Sequence, residues 1–324
     1  MHGTEIPALN VDGVKVINHV HGLKNTFVCD GDTAFEDAMN VVAGDKETKN
    51  FDLMLIRKFE RGHFQPIKIE RRNGKDNIVI MDSTGDYTSV TRTPGNFSKD
   101  TIDKIRDKIQ GCDIYHLQTR IQKSDYGCDA FTVKFMKKMH QSKDLYRELQ
   151  DYRIDERSSE VGVFFGLLGS KGQKQEVVTS DAGSLIACRA PERFAVFLQS
   201  REDVKEYMRG RNFRRGKIFT NKQGEEESFE QKIYRPRAFH YSDEKGIIPS
   251  AIYYFAKKYA RQVDECARKL GKEGLEEVLN QHDSVQLTSE RLQKIGFEYK
   301  ENPGVAMKVL EATGVQSEAK CVIM

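Results

Sequence analysis

The sequence has no tryptophan, no Cys-x-x-Cys pair and no apolar run approaching the ~18 residues that a membrane-spanning helix needs. The missing tryptophan excludes nothing by itself. The missing apolar run excludes a spanning helix. Six cysteines, at 29, 112, 128, 188, 266 and 321, are widely scattered. Without a paired framework they argue against a disulfide scaffold or a zinc knuckle and for a reducing compartment, and no metal is expected. The first twenty residues lack a basic start and a long apolar core, so no Sec-type signal peptide is read there. Charge of one sign is also scarce. The formal net charge is only +3, which argues against nucleic acid as the partner of the whole chain. What remains is a polar globular chain of 324 residues, 38% hydrophobic and 31% charged, with a mean hydropathy of -0.63. That is enough for one large or two modest domains. No internal repeat is visible.

The chain is organised around Ile121-Gln-Lys-Ser-Asp-Tyr-Gly-Cys-Asp-Ala-Phe131. Cys128 opens a strongly helical run through His140, with Phe131, Phe135 and Met139 on one face. A thiol at a helix N-terminus faces the positive end of the macrodipole, which favours thiolate. Gln122 lies on the approaching loop, where a side-chain amide can donate to an oxyanion. A base and an orienter are supplied upstream. Residues 51–58 read as a buried strand, 65–71 as a second and 77–81 as a third, with Asn73-Gly74 as a strong hairpin signal. His63 begins one hairpin strand and Asp82 ends its partner. Folding back about Asn73-Gly74 therefore returns the acid towards the imidazole. His63 as base, Asp82 as orienter and Cys128 as nucleophile is the resulting constellation. His116 and His140 compete as the base, and Glu70 and Asp86 as the acid.

Around this centre the chain reads as follows. Residues 1–25 look like an arm or irregular cap. Residues 32–42 form a short amphipathic helix capped by Asp32 or Thr33. Residues 83–98 are a polar loop. Residues 98–111 form a helix that puts Ile102, Ile105 and Ile109 on one face, and 112–121 return as a strand. Beyond 141 lie a charged helical stretch (142–160), an apolar glycine-punctuated run (161–169) and a polar connection (170–184). A helical segment (191–207) and a long helix (248–270) follow, then short helical pieces at 274–281, 288–295 and 302–313. Residues 208–217, with Arg211, Arg214, Arg215 and Lys217 around Phe213, form a basic run. Clustered guanidinium forks of that kind suit a polyphosphate or the phosphates of coenzyme A, although such a run is more often a solvated face. The sequence ends Lys320-Cys-Val-Ile-Met324. This fits a C-a-a-X prenylation signal on Cys321, of the farnesyl type, and implies a prenyltransferase and a membrane surface as partners. One lipid gives only marginal anchoring, and Lys320 alone is no polybasic patch.

The order and spacing of His63, Asp82, Gln122 and Cys128 resemble the cysteine-protease clan that holds the ubiquitin-like proteases and the YopJ-type effector acetyltransferases. The local text is nearer to the YopJ type. Asn73-Gly-Lys-Asp-Asn-Ile-Val-Ile-Met-Asp82 resembles that family's NGK-hydrophobic-acid segment. Ile121-Gln-Lys-Ser, Cys128 and Phe131 resemble its IQxS…C…F signature. Pro191-Glu-Arg-Phe194, Gln199-Ser200, Tyr207, Asn221-Lys222 and Gly224-Glu225 resemble its C-terminal region, and residues 242–261, with Lys257 and Lys258, resemble its last helix. The likeness covers roughly residues 50–262. Two departures flank the cysteine, Gly127 and Asp129, and Val196 stands where the family carries its autoacetylated lysine.

The resemblance implies an α+β fold with a ubiquitin-like-protease-type core, a central β-sheet flanked by helices, and a mostly helical C-terminal regulatory region. It divides the chain into an N-terminal arm and helix (1–50), a catalytic core (51–141), a regulatory and substrate region (142–313) and a tail (314–324). It implies a bacterial effector, secreted into a host cell and acting in the host cytoplasm or at a membrane surface. Such an effector moves acetyl from acetyl-CoA through a cysteine thioester to Ser, Thr or Lys of a host protein, with inositol hexakisphosphate as activator. Arg211, Arg214, Arg215, Lys217, Lys257 and Lys258 are the candidate phosphate contacts. The alternative within the clan is a cysteine protease acting on ubiquitin or a ubiquitin-like protein.

Overall fold

A computed structural model describes residues 8–83, 96–117, 127–142, 144–153, 183–195, 207–208, 218–220, 224–228, 231 and 249–301. In chain order the elements are α1 (Val11–Val20), β1 (Thr26–Asp30), α2 (Asp32–Gly44), β2 (Phe51–Lys58), β3 (Phe64–Arg72), β4 (Lys75–Met81), α3 (Asn96–Lys108), β5 (Asp113–Leu117), α4 (Cys128–His140), α5 (Leu145–Gln150), β6 (Leu185–Cys188), α6 (Glu192–Ala195), β7 (Ile218–Thr220), β8 (Glu226–Ser228), α7 (Pro249–Gln281) and α8 (Ser289–Glu301).

Period-two alternation in the central strands builds two cores, one on each face of a single sheet. Phe51, Leu53 and Leu55 of β2, Ile67 and Ile69 of β3, and Ile78 and Ile80 of β4 enter one core. Met54, Ile56, Phe64, Val79 and Met81 enter the other. The first core is closed by Phe35 and Met39 of α2, Ile102 and Ile105 of α3, and Leu292 and Ile295 of α8. The second is closed by Val14 and Ile17 of α1, Phe131, Phe135 and Met139 of α4, and Tyr259 of α7. The fold is thus a mixed α/β arrangement with a central sheet flanked by helices, as expected.

The sheet runs β1-β2-β3-β4-β5-β6. β2–β3 and β3–β4 are antiparallel, whereas β1–β2, β4–β5 and β5–β6 are parallel. The Asn73-Gly74 turn forms as expected, with φ of 52° and 82°, and Arg72 pairs with Lys75 across it. These positive angles are what a two-residue hairpin turn demands.

Three elements depart from the sequence reading. The supposed N-terminal arm contains α1, capped by the Asn10 side chain, which accepts from the Gly13 amide at 2.8 Å. β1 and β6 were not anticipated. Both join by parallel pairing, which leaves no local turn signature because the connection is a long crossover. The long helix and the 274–281 piece form as expected, as two helical segments of α7 separated by a kink at Gly271, whose φ is 66°. The charged stretch 142–160 is helical at 145–150, and its later part lies outside the described residues, as do 161–169 and 302–313.

Candidate active site

Cys128 is the first residue of α4. Gly127 before it takes a left-handed conformation, φ 95°, that turns the incoming chain onto the helix axis. Two contacts fix the helix, one to β3 and one to the segment that leads into α1. Thr132 Oγ1 donates to the Phe64 carbonyl at 3.0 Å, and the Leu9 amide donates to Asp129 Oδ2 at 2.6 Å. The Cys128 thiol donates to the Gly62 carbonyl at 3.6 Å. Gly62, with φ 78°, closes the tight turn between β2 and β3, in which the Phe59 amide donates to the His63 carbonyl at 2.8 Å. The sulfur therefore lies against the residue next to His63.

His63 is buried, and its Nε2 meets Asp82 Oδ2 at 3.0 Å. The hairpin explains the meeting. With Ile67 opposite Ile80, the next positions along the ladder bring the end of β4 beside the start of β3. The imidazole is held face-on by Phe97, with ring centroids 4.6 Å apart and planes 20° apart, and flanked by Phe59 at 5.8 Å. Burial alone would lower the basicity of His63. The charge and hydrogen bond of Asp82, with further contributions from Cys128, outweigh it and push the ring up to about 10. Cys128 is partly exposed, whereas burial pushes the thiols of Cys29, Cys112 and Cys188 up to about 12. One thiol among these four is both accessible and set beside a base.

The rival residues fall elsewhere. His116 is buried in β5 opposite Ile80. His140 ends α4, at the far end of the helix from Cys128, where burial disfavours its charged form. Glu70 is near the hairpin turn and bonds Arg72, and Asp86 lies outside the described residues. Gln122, Arg211, Arg214, Arg215, Lys217, Val196 and Cys321 also lie outside them. Lys257 and Lys258 are on α7, exposed and half-buried respectively.

Lys258, expected as a phosphate contact, acts electrostatically on His21, just after α1, together with Lys134 and Lys137 of α4, which the sequence reading did not put at a site. Lys137 Nζ is 3.3 Å from His21 Nδ1, and Lys134 Nζ sits 3.7 Å over the Phe255 ring. Burial, then Lys137, Lys134 and Lys258, lower His21 to about 3. Gln65 behind Asp82 was also missed, although no local signal marks it.

A helix-borne cysteine beside a histidine–aspartate pair delivered by one hairpin is an arrangement that can support nucleophilic chemistry at sulfur. The comparisons narrow the class. A family described as YopJ Serine/Threonine acetyltransferase matches residues 14–262, and the chain belongs to that family. Solved structures with a similar fold include HopZ1a in complex with IP6 and CoA, at 11% identity and a TM-score of 0.52, covering 82% of this chain and 88% of that one. HopZ1a in complex with IP6 gives 11% and 0.51, covering 79% and 84%. AvrA delL154 with IP6 and CoA gives 16% and 0.48, covering 78% and 85%. No curated protein sequence matches the chain.

Proposed function

We propose that the chain is an effector that acetylates Ser, Thr or Lys of a host protein, using acetyl-CoA and a Cys128 thioester. The observation that carries this reading is the 3.0 Å His63–Asp82 pair set against the cysteine that opens α4. His63 takes the thiol proton, and Asp82 holds the ring and stabilises the imidazolium. The thiolate attacks the acetyl carbonyl. The amide of Cys128, with no helical partner in the first turn, and the side chain of Gln122 are the expected oxyanion donors. Collapse breaks the bond to the coenzyme sulfur, which takes the proton from His63, and leaves acetyl-Cys128. The acceptor hydroxyl or amine then gives a proton to His63 and attacks the thioester, restoring the thiol.

The chain also carries residues suited to a polyphosphate. Lys134, Lys137 and Lys258 gather round a neutral His21, and that concentration of lysine charge suits phosphate oxygens. They fit either the phosphates of coenzyme A or inositol hexakisphosphate, with Lys257 and the basic run Arg211, Arg214, Arg215 and Lys217 as further contacts. Inositol hexakisphosphate supplies no chemistry to the transfer; bound there, it ties α4 and α7 together by charge neutralisation.

Intact mass of the protein mixed with acetyl-CoA, with and without inositol hexakisphosphate, tests the reading. A gain of one acetyl group that the polyphosphate promotes, and that Cys128→Ala abolishes, is expected. Equal labelling of Cys128→Ala would end the thioester account. Capture by a ubiquitin C-terminal electrophile in its place would move the protein to the protease branch.

A further inference from the structure

The hydrogen bonds behind Asp82 continue into the protein. Asp82 Oδ2 accepts from His63 Nε2 at 3.0 Å and from Gln65 Nε2 at 3.3 Å. Gln65 Nε2 also donates to Ser98 Oγ at 3.1 Å, and its Oε1 accepts from Thr101 Oγ1 at 2.6 Å. Thr101 Oγ1 in turn accepts from Arg57 Nη1 at 2.8 Å. Arg57, Gln65 and Thr101 are 0% exposed. Arg57 and Gln65 are direct partners across the β2–β3 ladder. Arg57 is anchored by Asp32 at the start of α2, by Asp100 in α3, and between the ring faces of Phe35 and Phe59.

The polarity of this line is forced. An ionised carboxylate can only accept, so Gln65 turns its NH2 to Asp82 and its Oε1 to Thr101. The Thr101 proton then goes to that oxygen, while a lone pair accepts from Arg57. A flipped amide would set a carbonyl against a carboxylate. Simple satisfaction of a buried amide would not require the bond to fall where it does. It falls on the same carboxylate oxygen that His63 uses. Moreover, the turn of α3 that supplies Ser98 and Thr101 also supplies Phe97, which stacks on the imidazole.

We infer that Gln65 is a positioning residue: its amide, braced from behind by Thr101 and Arg57, fixes Asp82 Oδ2 where the His63 ring meets it. The inference rests on the reading of His63, Asp82 and Cys128 as the reacting group. Gln65 touches no substrate and acts only through Asp82. The charged groups around position 65 are Asp82 and His63 on the hairpin, Arg57 on β2, Asp32 on α2 and Asp100 on α3.

Three variants test it, each checked for folding by circular dichroism. Gln65→Met keeps the shape and removes the donor. It should lower kcat/KM roughly tenfold, the scale of one lost hydrogen bond, with KM for acetyl-CoA unchanged. The His63 titration followed by NMR in the absence of substrate should move to lower pH. Thr101→Val keeps the amide and removes its brace, and should shift both readouts the same way by less. Gln65→Glu gives the sharpest signature. Protonated, the new acid donates to Asp82 as the amide does; ionised, it sets two carboxylates side by side. Its activity relative to the parent protein should fall as pH rises. Parent-like kcat/KM, His63 titration and pH profile in all three variants, with Cys128→Ala inactive, would overturn the inference while leaving the triad standing. If Cys128→Ala stayed active, the triad reading would fail. The His63 titration, which needs no turnover, would still decide whether Gln65 governs the Asp82–His63 contact.

Discussion

Asp82 is 2% exposed, and its charge makes a buried imidazole a strong base. Replacing it by asparagine keeps the shape and removes the charge. Acetyl transfer by Asp82→Asn should fall on the order of 10³–10⁴-fold, the scale known for losing the orienting acid of a triad. The His63 titration should drop well below about 10, because burial is then far less opposed, and NMR of the ring protons would show it. The same shift is a stability statement. The ring is more basic folded than unfolded, so its contribution is fully present below about 6.5 and is lost as pH rises through about 10. Urea midpoints of the parent and of His63→Ala should therefore differ most in mild acid and converge at alkaline pH. Legibility at this scale follows from the same chemistry. His63, Asp82 and Cys128 each mark the end of an element, where local spacing gives them away. Gln65, Thr101 and Arg57 lie within elements, and only register between strands and a helix joins them.

At the scale of elements, Gly183 shows how narrow the tolerances are next to β6. Its φ is 85°, and a Cβ there would come within 1.8 Å of the Cys112 carbonyl oxygen. Just beyond it, the Ile114 amide bonds the Ser184 carbonyl at 2.8 Å, where β5 and β6 begin to pair. Gly183→Ala should cost about 2–4 kcal/mol through strain and a displaced edge strand, and chemical denaturation would measure it. Arg71 is a second such point. Its guanidinium forks onto Asp76 at 2.8 and 2.9 Å and holds the carbonyls of Val42, Asp45 and Thr48. Arg71→Ala leaves a buried carboxylate and three carbonyls without that donor and should cost about 3–5 kcal/mol. The hairpin was legible because a two-residue turn and apolar alternation are local. β1 and β6 were not, since parallel neighbours leave no mark on the sequence between them. In α1, Gly13 in the first turn hid a helix whose Val14 and Ile17 are fully buried. The backbone approach to Leu9 and Asn10 explains a glycine there, as a Cβ would lie 3.1 Å from Leu9 Cδ2.

At the scale of the molecule, residues beyond the matched family region complete the core. α8 lies across β2 and α2, with its Leu292 and Ile295, and Leu287 just before it, almost fully buried. Leu292→Ala should destabilise the whole fold by about 2–5 kcal/mol and lower its thermal midpoint, although it lies far along the chain from Cys128. Gly296 seats α8 closely enough that a Cβ would fall 2.6 Å from the Asn50 carbonyl oxygen. α1 also packs on α7, so early and late parts of the chain close over one another.

The Val28 amide of β1 donates to the His282 carbonyl at 2.8 Å, and Lys15 of α1 pairs with Asp283. A nascent chain that has already delivered Cys128 from the ribosome still lacks the partners that close its first strand and first helix. The first strand and the first helix therefore close only once residues 282 and 283 have been made, late in the order of synthesis.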